Sequence, residues 1–396
     1  MAKKVMVVAG EVSGDQHAAR LVRDLRAVRG DVEFFGIGGD ALRREGVRTV
    51  VDAREMAVVG FFEVLMRYGF FRRVFNQMVA LLASEKPDAL LLVDYPGFNL
   101  RLAAKAHAAG LPVLYYVSPQ VWAWHKSRIP QMAKILDLLM VIFPFEVGVF
   151  KGTGLPTVFV GHPLVESVRR TLAKPSLALP WPAGARRVAI LPGSRRQEIQ
   201  RVLPAMLDAA KELRRRDAST AFLVPAASAE IAGLIEAQLA ARPAAERACI
   251  GVVTGQMREV ARQARAAMVC SGTATVETAL LKCPMIVAYR TTALTYWLGK
   301  RIIRVKWLGM VNLIANRTLC PEFIQGAARP GAMADALEPL IADGPARQLQ
   351  LAGLEEVARA LEGEGQIRSA GQVVAEALGN GAGVRQMNPG SDRSAP

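Results

Sequence analysis

Short apolar runs rich in Val, Leu and Ile recur along the chain, each followed by a stretch of helical periodicity. In the first half they are VMVVAG (5–10), VEFFGIGG (32–39), ALLLVDY (89–95), PVLYYVS (112–118), LLMVIFPF (138–145) and TVFVGHP (157–163). Helical stretches such as HAARLVRDLRAV and NLRLAAKAHAAG separate them. Unbroken apolar strands alternating with helices predict a parallel sheet covered on both faces. The rhythm breaks over residues 166–187, with prolines at 175, 180 and 182, which marks a linker or domain edge. A second series then begins: RVAILPGS (187–194), TAFLVPAA (220–227), IGVVTG (250–255), AAMVCSG (266–272) and PMIVAYR (284–290). The pattern therefore predicts two tandem α/β domains, residues 1–165 and 186–360. A closing helix is expected at about 366–378 and a disordered tail over 380–396.

Composition agrees and narrows the chemistry. A chain of 396 residues exceeds what one hydrophobic core usually supports, and 52% hydrophobic residues supply material for two. The four cysteines never approach C-x-x-C spacing and the four histidines form no H-E-x-x-H pattern. A disulfide framework or zinc site is not expected, and a reducing cytoplasm fits best. The first apolar run is cut at Glu11, too short for a secretory segment. No window approaches 18 uninterrupted apolar residues, so nothing is expected to span a membrane. The net charge of +15 favours nucleic acid, an anionic membrane surface or phosphorylated substrates. The charge is spread along the chain beside no nucleic-acid-binding motif, so no nucleic-acid partner is expected.

In open α/β sheets ligands bind at the carboxyl ends of the strands, so the strand-to-loop junctions carry the candidates. In ILPGSRRQEI (190–199) a buried strand ends in a glycine turn that opens a helix. Free amides and the positive helix end make an anion site there, with Ser194 as cap or ligand and Arg195 as a bidentate phosphate donor. The plain alternative is an ordinary turn with solvated arginines. The second junction, AAMVCSGTATVE (266–277), puts Ser271, Gly272 and Thr273 at a helix start, with Glu277 one turn deeper on the same face. A phosphate at the amides and a carboxylate accepting from two sugar hydroxyls would suit a nucleoside diphosphate. In the first half, AGEVSGD (9–15) and GIGGD (36–40) are glycine loops without the dinucleotide-binding spacing. Asp94 ends the strand of LLLVDYPGFN and reads either as a turn former or as a catalytic carboxylate. Trp122 and Trp124 in YYVSPQVWAW read as packing residues or sugar platforms. No D-x-D pair occurs, so nothing in the sequence argues for a chelated metal.

The motifs AGEVSGD, EVLMRY, VDYPGFN, YYVSPQVWAW, FPFE, VGHPL, LPGSRRQEI, SGTATVE and VNLIANR resemble, in order and spacing, those of the lipid-A-disaccharide synthase family. The match runs from about residue 4 to about 378, and several of its motifs are specific to the family. The resemblance implies a GT-B fold, two Rossmann-like domains facing each other across a cleft, and an inverting, metal-independent glycosyltransferase. The implied reaction transfers 2,3-diacylglucosamine from its UDP conjugate to 2,3-diacylglucosamine 1-phosphate, forming a β-1,6 linkage and UDP. It needs no cofactor. The family pattern puts a general base at Asp94, a diphosphate ligand at Arg195 and a catalytic or donor-binding residue at Asn312. Ser271, Gly272, Thr273 and Glu277 fall on the donor nucleotide loop, with Ser194 beside them as a donor-site candidate; Ser13, Gly14, Trp122 and Trp124 are the candidates for the acceptor side or its loops. Some relatives carry a second acid where this chain has Gly97, which leaves Asp94 as the sole carboxylate of its motif.

Both implied sugars carry acyl chains, so the enzyme must meet a bilayer. FFEVLMRYGFFRRVF (61–75) includes Phe70, Phe71, Arg72 and Arg73, and ALTYWLGKRIIRVKWLGM (293–310) includes Trp297 and Trp307 among four cations. From Thr278 to Pro321 there is no acidic residue. Aromatics mixed with cations suit peripheral attachment to the inner face of the cytoplasmic membrane. The alternatives are core helices with a basic edge, or a homodimer surface. Two other functions compete with the transferase: another UDP-sugar enzyme on the same fold, such as an epimerase or a transferase with a soluble acceptor, and a basic nucleic-acid-binding or membrane-scaffolding protein without catalysis.

Overall fold

The computed structural model describes residues 2–56, 67–302, 305–363, 365 and 367–379. The chain forms two compact units, residues 1–162 with 363–396, and residues 163–362. The first contains a seven-stranded parallel sheet: β1 (Lys3–Ala9), β2 (Val32–Gly38), β3 (Arg48–Asp52), β4 (Ala89–Val93), β5 (Val113–Tyr116), β6 (Leu138–Val141) and β7 (Thr157–Phe159). Its spatial order is β3-β2-β1-β4-β5-β6-β7. The second contains six parallel strands: β8 (Arg186–Leu191), β9 (Thr220–Ala226), β10 (Ile250–Thr254), β11 (Ala266–Cys270), β12 (Met285–Tyr289) and β13 (Glu322–Ile324). Their order is β10-β9-β8-β11-β12-β13.

The central strands are apolar because helices cover both faces. Val5 to Ala9 and Leu90 to Val93 are fully buried in the first sheet, as are Val188 to Ile190 and Ala266 to Val269 in the second. The covering helices show the complementary period. Helix Arg196–Arg216 buries Ile199, Val202, Leu203, Met206, Ala210 and Leu213, a stripe with spacings of three and four.

Two strands escape the apolar-run criterion. β3, RTVVD, and β13, EFI, are edge strands with mostly half-buried side chains, so they need no continuous apolar run. The domain limits also differ from expectation. The break falls between His162 and Pro163, and residues 163–185 belong to the second unit. Helix Met257–Gln263 holds them there. Arg262 donates to the Lys174 carbonyl, Gln263 to the Leu177 carbonyl, and the Trp181 indole N–H donates to Gln263. The C-terminal helix Ala370–Gly379 belongs to the first unit and lies against helix Val12–Val28, where Gly371 has no room for a side chain beside Asp24 and Leu25.

In each sheet the chain reverses direction of growth once. The reversal lies between β1 and β4 in the first unit and between β8 and β11 in the second. Loops leaving such adjacent strands diverge and open a crevice at their carboxyl ends.

Candidate active site

The second unit carries a cavity of about 720 Å³ at its reversal point. Gly193, Ser194 and Arg195, leaving β8, line it with Ser271, Gly272 and Thr273, leaving β11. Glu277 and Arg258 complete one wall, and Thr171 and Lys174 extend it. At the β11 end, Gly272 at φ +152° turns the chain into helix Thr273–Leu280. The N–H groups of Gly272, Thr273 and Ala274 have no acceptor among the described residues, so they are open to an anion.

The β8 end differs from expectation. Glu198 folds back over the turn and accepts from the backbone N–H of Ser194 at 2.9 Å and of Arg195 at 3.2 Å. Its other oxygen pairs with Arg195 Nη1 at 3.0 Å. Gly193, at φ +108°, is what admits it, because a side chain there would collide with the Glu198 carboxylate. An internal carboxylate therefore takes the amides expected to bind phosphate, and what this turn still presents to the cavity is the Arg195 guanidinium, 77% exposed and paired with Glu198 through Nη1 alone. The signal was present in sequence as a glutamate three residues after the cap.

Further expectations are corrected. The Ser271 hydroxyl donates to the Leu308 carbonyl at 2.9 Å and so serves the loop rather than standing free. Asn312 is fully buried. Its Nδ2 donates to the Cys320 carbonyl and to Glu322, and its Oδ1 accepts from the Leu319 and Cys320 N–H groups. Both donors and both lone pairs are used, so Asn312 braces this loop and has nothing left to offer a substrate directly.

The first unit's reversal point brings Glu11, after β1, to the same edge as Asp94, after β4. Asp94 and Tyr95 both adopt left-handed backbone (φ 48° and 51°), and so does Val117 after β5 (φ 64°). The β-branched Val117 is strained there, and three left-handed residues on adjacent strand ends need a firm hold. The Asp94 carbonyl supplies one, accepting from the Tyr115 hydroxyl at 2.5 Å and from Asn99 Nδ2 at 2.7 Å. Burial raises the Asp94 carboxyl from 3.8 to about 6, and the Glu11 charge adds to the rise. The result is a carboxylate basic enough to take a proton near neutrality.

Of the acceptor-side candidates, Trp124 is 55% exposed, while Trp122 is buried and donates from its indole N–H to Glu146 at 3.1 Å. Trp122 is therefore an anchor of the loop, not a platform. Ser13 is exposed, but Gly14 is buried in helix Val12–Val28, 3.6 Å from the Val93 carbonyl by its missing Cβ, and reads as a packing glycine. In GIGGD, Gly39 makes room for buried Asp15, which accepts from the N–H groups of Gly39, Ala41 and Leu42. That glycine loop is structural.

The aromatic-basic stretches divide likewise. Residues 61–66 lie outside the described residues. Phe70 and Phe71 are half-buried and pack in part against the first unit's core, while Arg72 and Arg73 are exposed. In helix Ala293–Ile302, Trp297 is 52% exposed with the Arg301 guanidinium 3.5 Å from its ring centre. Trp307 is half-buried and donates to Thr318. Among the described residues no helix is long and apolar enough to cross a membrane.

Comparison with known proteins fixes the family. The profile of the family described as Lipid-A-disaccharide synthetase matches residues 5–377. The chain belongs to that family. It is 39% identical to the lipid-A-disaccharide synthase of Geobacter sulfurreducens over 95% of this chain and 97% of that protein. It is 42% identical to lipid-A-disaccharide synthase 1 of Legionella pneumophila over 82% of this chain and 84% of that one. Among solved structures, the fold resembles a UDP-GlcNAc 2-epimerase from Neisseria meningitidis (TM-score 0.61, 12% identity, 95% of this chain and 100% of that one). It equally resembles the calicheamicin glycosyltransferase CalG4 (TM-score 0.61, 13% identity, 96% and 100%). These two share the GT-B arrangement of two Rossmann-like units. The enzyme is thus a glycosyltransferase of lipid A biosynthesis. It transfers 2,3-diacylglucosamine from its UDP conjugate to 2,3-diacylglucosamine 1-phosphate, giving the β-1,6-linked disaccharide 1-phosphate and UDP.

Proposed function

We propose that the second unit's cavity holds the UDP moiety of the donor and that Asp94 is the base that activates the acceptor. The observation that supports this most is the pairing, at one reversal point, of the Arg195 guanidinium with the open amides of Gly272 and Thr273, above the Glu277 carboxylate. The amides and Arg195 take the diphosphate, and Glu277 accepts from the ribose hydroxyls. The acceptor's 6-hydroxyl gives its proton to Asp94 as its oxygen bonds to the anomeric carbon. The bond from that carbon to UDP breaks on the opposite face, and Arg195 and the helix amides stabilise the negative charge on the departing diphosphate. Ser13 and Trp124 are candidates for contact with the acceptor.

The acylated sugars reach the enzyme from a bilayer. We assign the lipid-facing surface to helix Ala293–Ile302, whose exposed Tyr296, Trp297, Lys300 and Arg301 combine interfacial aromatics with cations. This reading makes the enzyme peripheral to the cytoplasmic face of the membrane.

Calorimetric titration with UDP tests the nucleotide assignment. Replacing a bidentate, charge-assisted phosphate contact costs about 2–4 kcal/mol, so Arg195→Ala should weaken UDP binding about a hundredfold. Unchanged affinity would reduce Arg195 to a partner of Glu198 and refute the assignment.

A further inference from the structure

We infer that Arg258 is a positioning residue for donor recognition, holding Glu277 so that one carboxylate oxygen faces the nucleotide ribose. The inference rests on the proposed placement of UDP in the second unit's cavity. Arg258 Nη2 donates to Glu277 Oε1 at 2.9 Å. Its Nη1 donates at 2.5 Å to the Ser167 hydroxyl and at 3.4 Å to the Ser167 carbonyl, on helix Pro163–Leu172. The guanidinium is thus fixed at both ends, and its planar fork dictates where Glu277 can lie. Glu277 Oε2 has no partner among the described residues, and the side chain keeps 14% of its surface open, facing the cavity. An acceptor with one oxygen clamped and one free is what a ribose hydroxyl requires.

Three features make the clamp specific. Arg258 follows a tight turn in which Gly255 and Gln256 are both left-handed (φ 71° and 58°), which delivers it to the cavity wall beside Met257. The cavity lining also includes Glu198 and Glu259, whose carboxylates are engaged by Arg195 and by Arg262, and Arg258 is the cation paired with Glu277. Finally, Glu259, Arg262 and Gln263 of the same helix all bond to residues 171–181, so the helix cannot drift away from Ser167 and carry Arg258 with it. The clamp also ties the ribose acceptor to the helix that begins at Pro163, the first residue of this unit.

The test compares binding of UDP with binding of its 2′,3′-dideoxy analogue, which keeps the base and diphosphate and lacks the hydroxyls. The wild type should prefer UDP by about ten- to a hundredfold, the usual worth of hydrogen bonds to a charged acceptor. Glu277→Gln should reduce that preference to within about threefold. Arg258→Gln should do the same while leaving affinity for the dideoxy analogue unchanged, and Arg258→Lys should restore part of the preference. If Arg258→Gln weakens both ligands equally, the arginine contacts phosphate directly and the positioning role is overturned. If Arg258→Gln keeps the wild-type preference while Glu277→Gln loses it, Glu277 needs no clamp and only this inference fails. If the wild type shows no preference, or Glu277→Gln retains it, the nucleotide reading of Glu277 itself fails. Should Arg258→Gln not fold, Ser167→Ala frees one arm of the guanidinium and should lower the preference at least threefold; an unchanged preference overturns the inference.

Discussion

Asp94 should impose an acid limb on the reaction, and Glu11 should set where that limb falls. Burial is the larger cause of the rise from 3.8 to about 6, and the Glu11 charge is the second. The displacement corresponds to about 3 kcal/mol of preference for the neutral acid. A base must be ionised, so kcat/KM should be flat above about pH 7 and fall below pH 6, with about a tenth of the plateau left at pH 5. Glu11→Gln removes a neighbouring charge without removing volume, so the limb should move to lower pH. A move of only half a pH unit would raise relative activity at pH 5 about threefold. Asp94→Asn should lower turnover about a hundred- to ten-thousandfold on the plateau above pH 7, and by progressively less below pH 6, where the wild-type base is itself protonated. Folding stability should respond with the opposite sign from a salt-bridged aspartate. Because the native state favours the protonated acid, Asp94 costs stability progressively as pH rises from about 3.8 to about 6, and the full cost is present above. Asp94→Asn should therefore melt no lower than wild type at pH 8, and higher by up to the equivalent of about 3 kcal/mol. UDP release at low substrate between pH 4.5 and 8, beside melting curves at pH 4 and pH 8, reads all three effects. An acid limb that ignores Glu11→Gln, or an asparagine variant that melts lower than wild type at pH 8, would show that Asp94 is a turn former and not the base.

Two other outcomes follow from the corrected residues. Asn312→Ala leaves two N–H groups and a carbonyl unpaired inside the 312–322 loop, so it should cost about 2–4 kcal/mol and lower the melting temperature, with any loss of activity following the loss of fold; unaltered melting with abolished activity would return Asn312 to the chemistry. Trp297→Ser with Arg301→Ser should cut sedimentation with anionic vesicles while leaving UDP binding unchanged, and the remaining attachment should weaken with salt, whereas unchanged sedimentation would remove helix Ala293–Ile302 as the lipid contact.

The sheet centres were legible because burial on both faces leaves an unmistakable mark: ALLLV and AAMVC admit little else. β3 and β13 were not, since an edge strand such as Arg48–Asp52 is half-exposed and carries polar residues. The anion turns were legible as strand, glycine and hydroxyl, but their occupancy was not. A sequence shows that Glu198 stands three residues beyond Arg195; only the fold shows its carboxylate on the amides of Ser194 and Arg195. Asn312 was misplaced for a related reason. The family pattern marks a residue as necessary without saying whether it touches substrate or holds the loop that does. Arg258 carried no signal, because its two partners lie 91 residues before it and 19 after it.

The two units use one architecture with opposite electrostatics, and the chemistry explains why. Both place their candidate groups where the strand order reverses, so the fold alone does not separate base from leaving-group site. At the first reversal, an acid lies near a second acid in a poorly hydrated place, which raises its proton affinity. At the second, a guanidinium and unpaired amides line the cavity, and Arg258 pairs with the Glu277 carboxylate there. A guanidinium beside Asp94 would lower its proton affinity, the reverse of what the proposed base requires. The left-handed backbone at Asp94, Tyr95 and Val117 belongs to the same logic. An acid turned out of its strand must be held against its own conformational preference, and the Tyr115 and Asn99 bonds to the Asp94 carbonyl do so without engaging the carboxylate, as the proposed base requires.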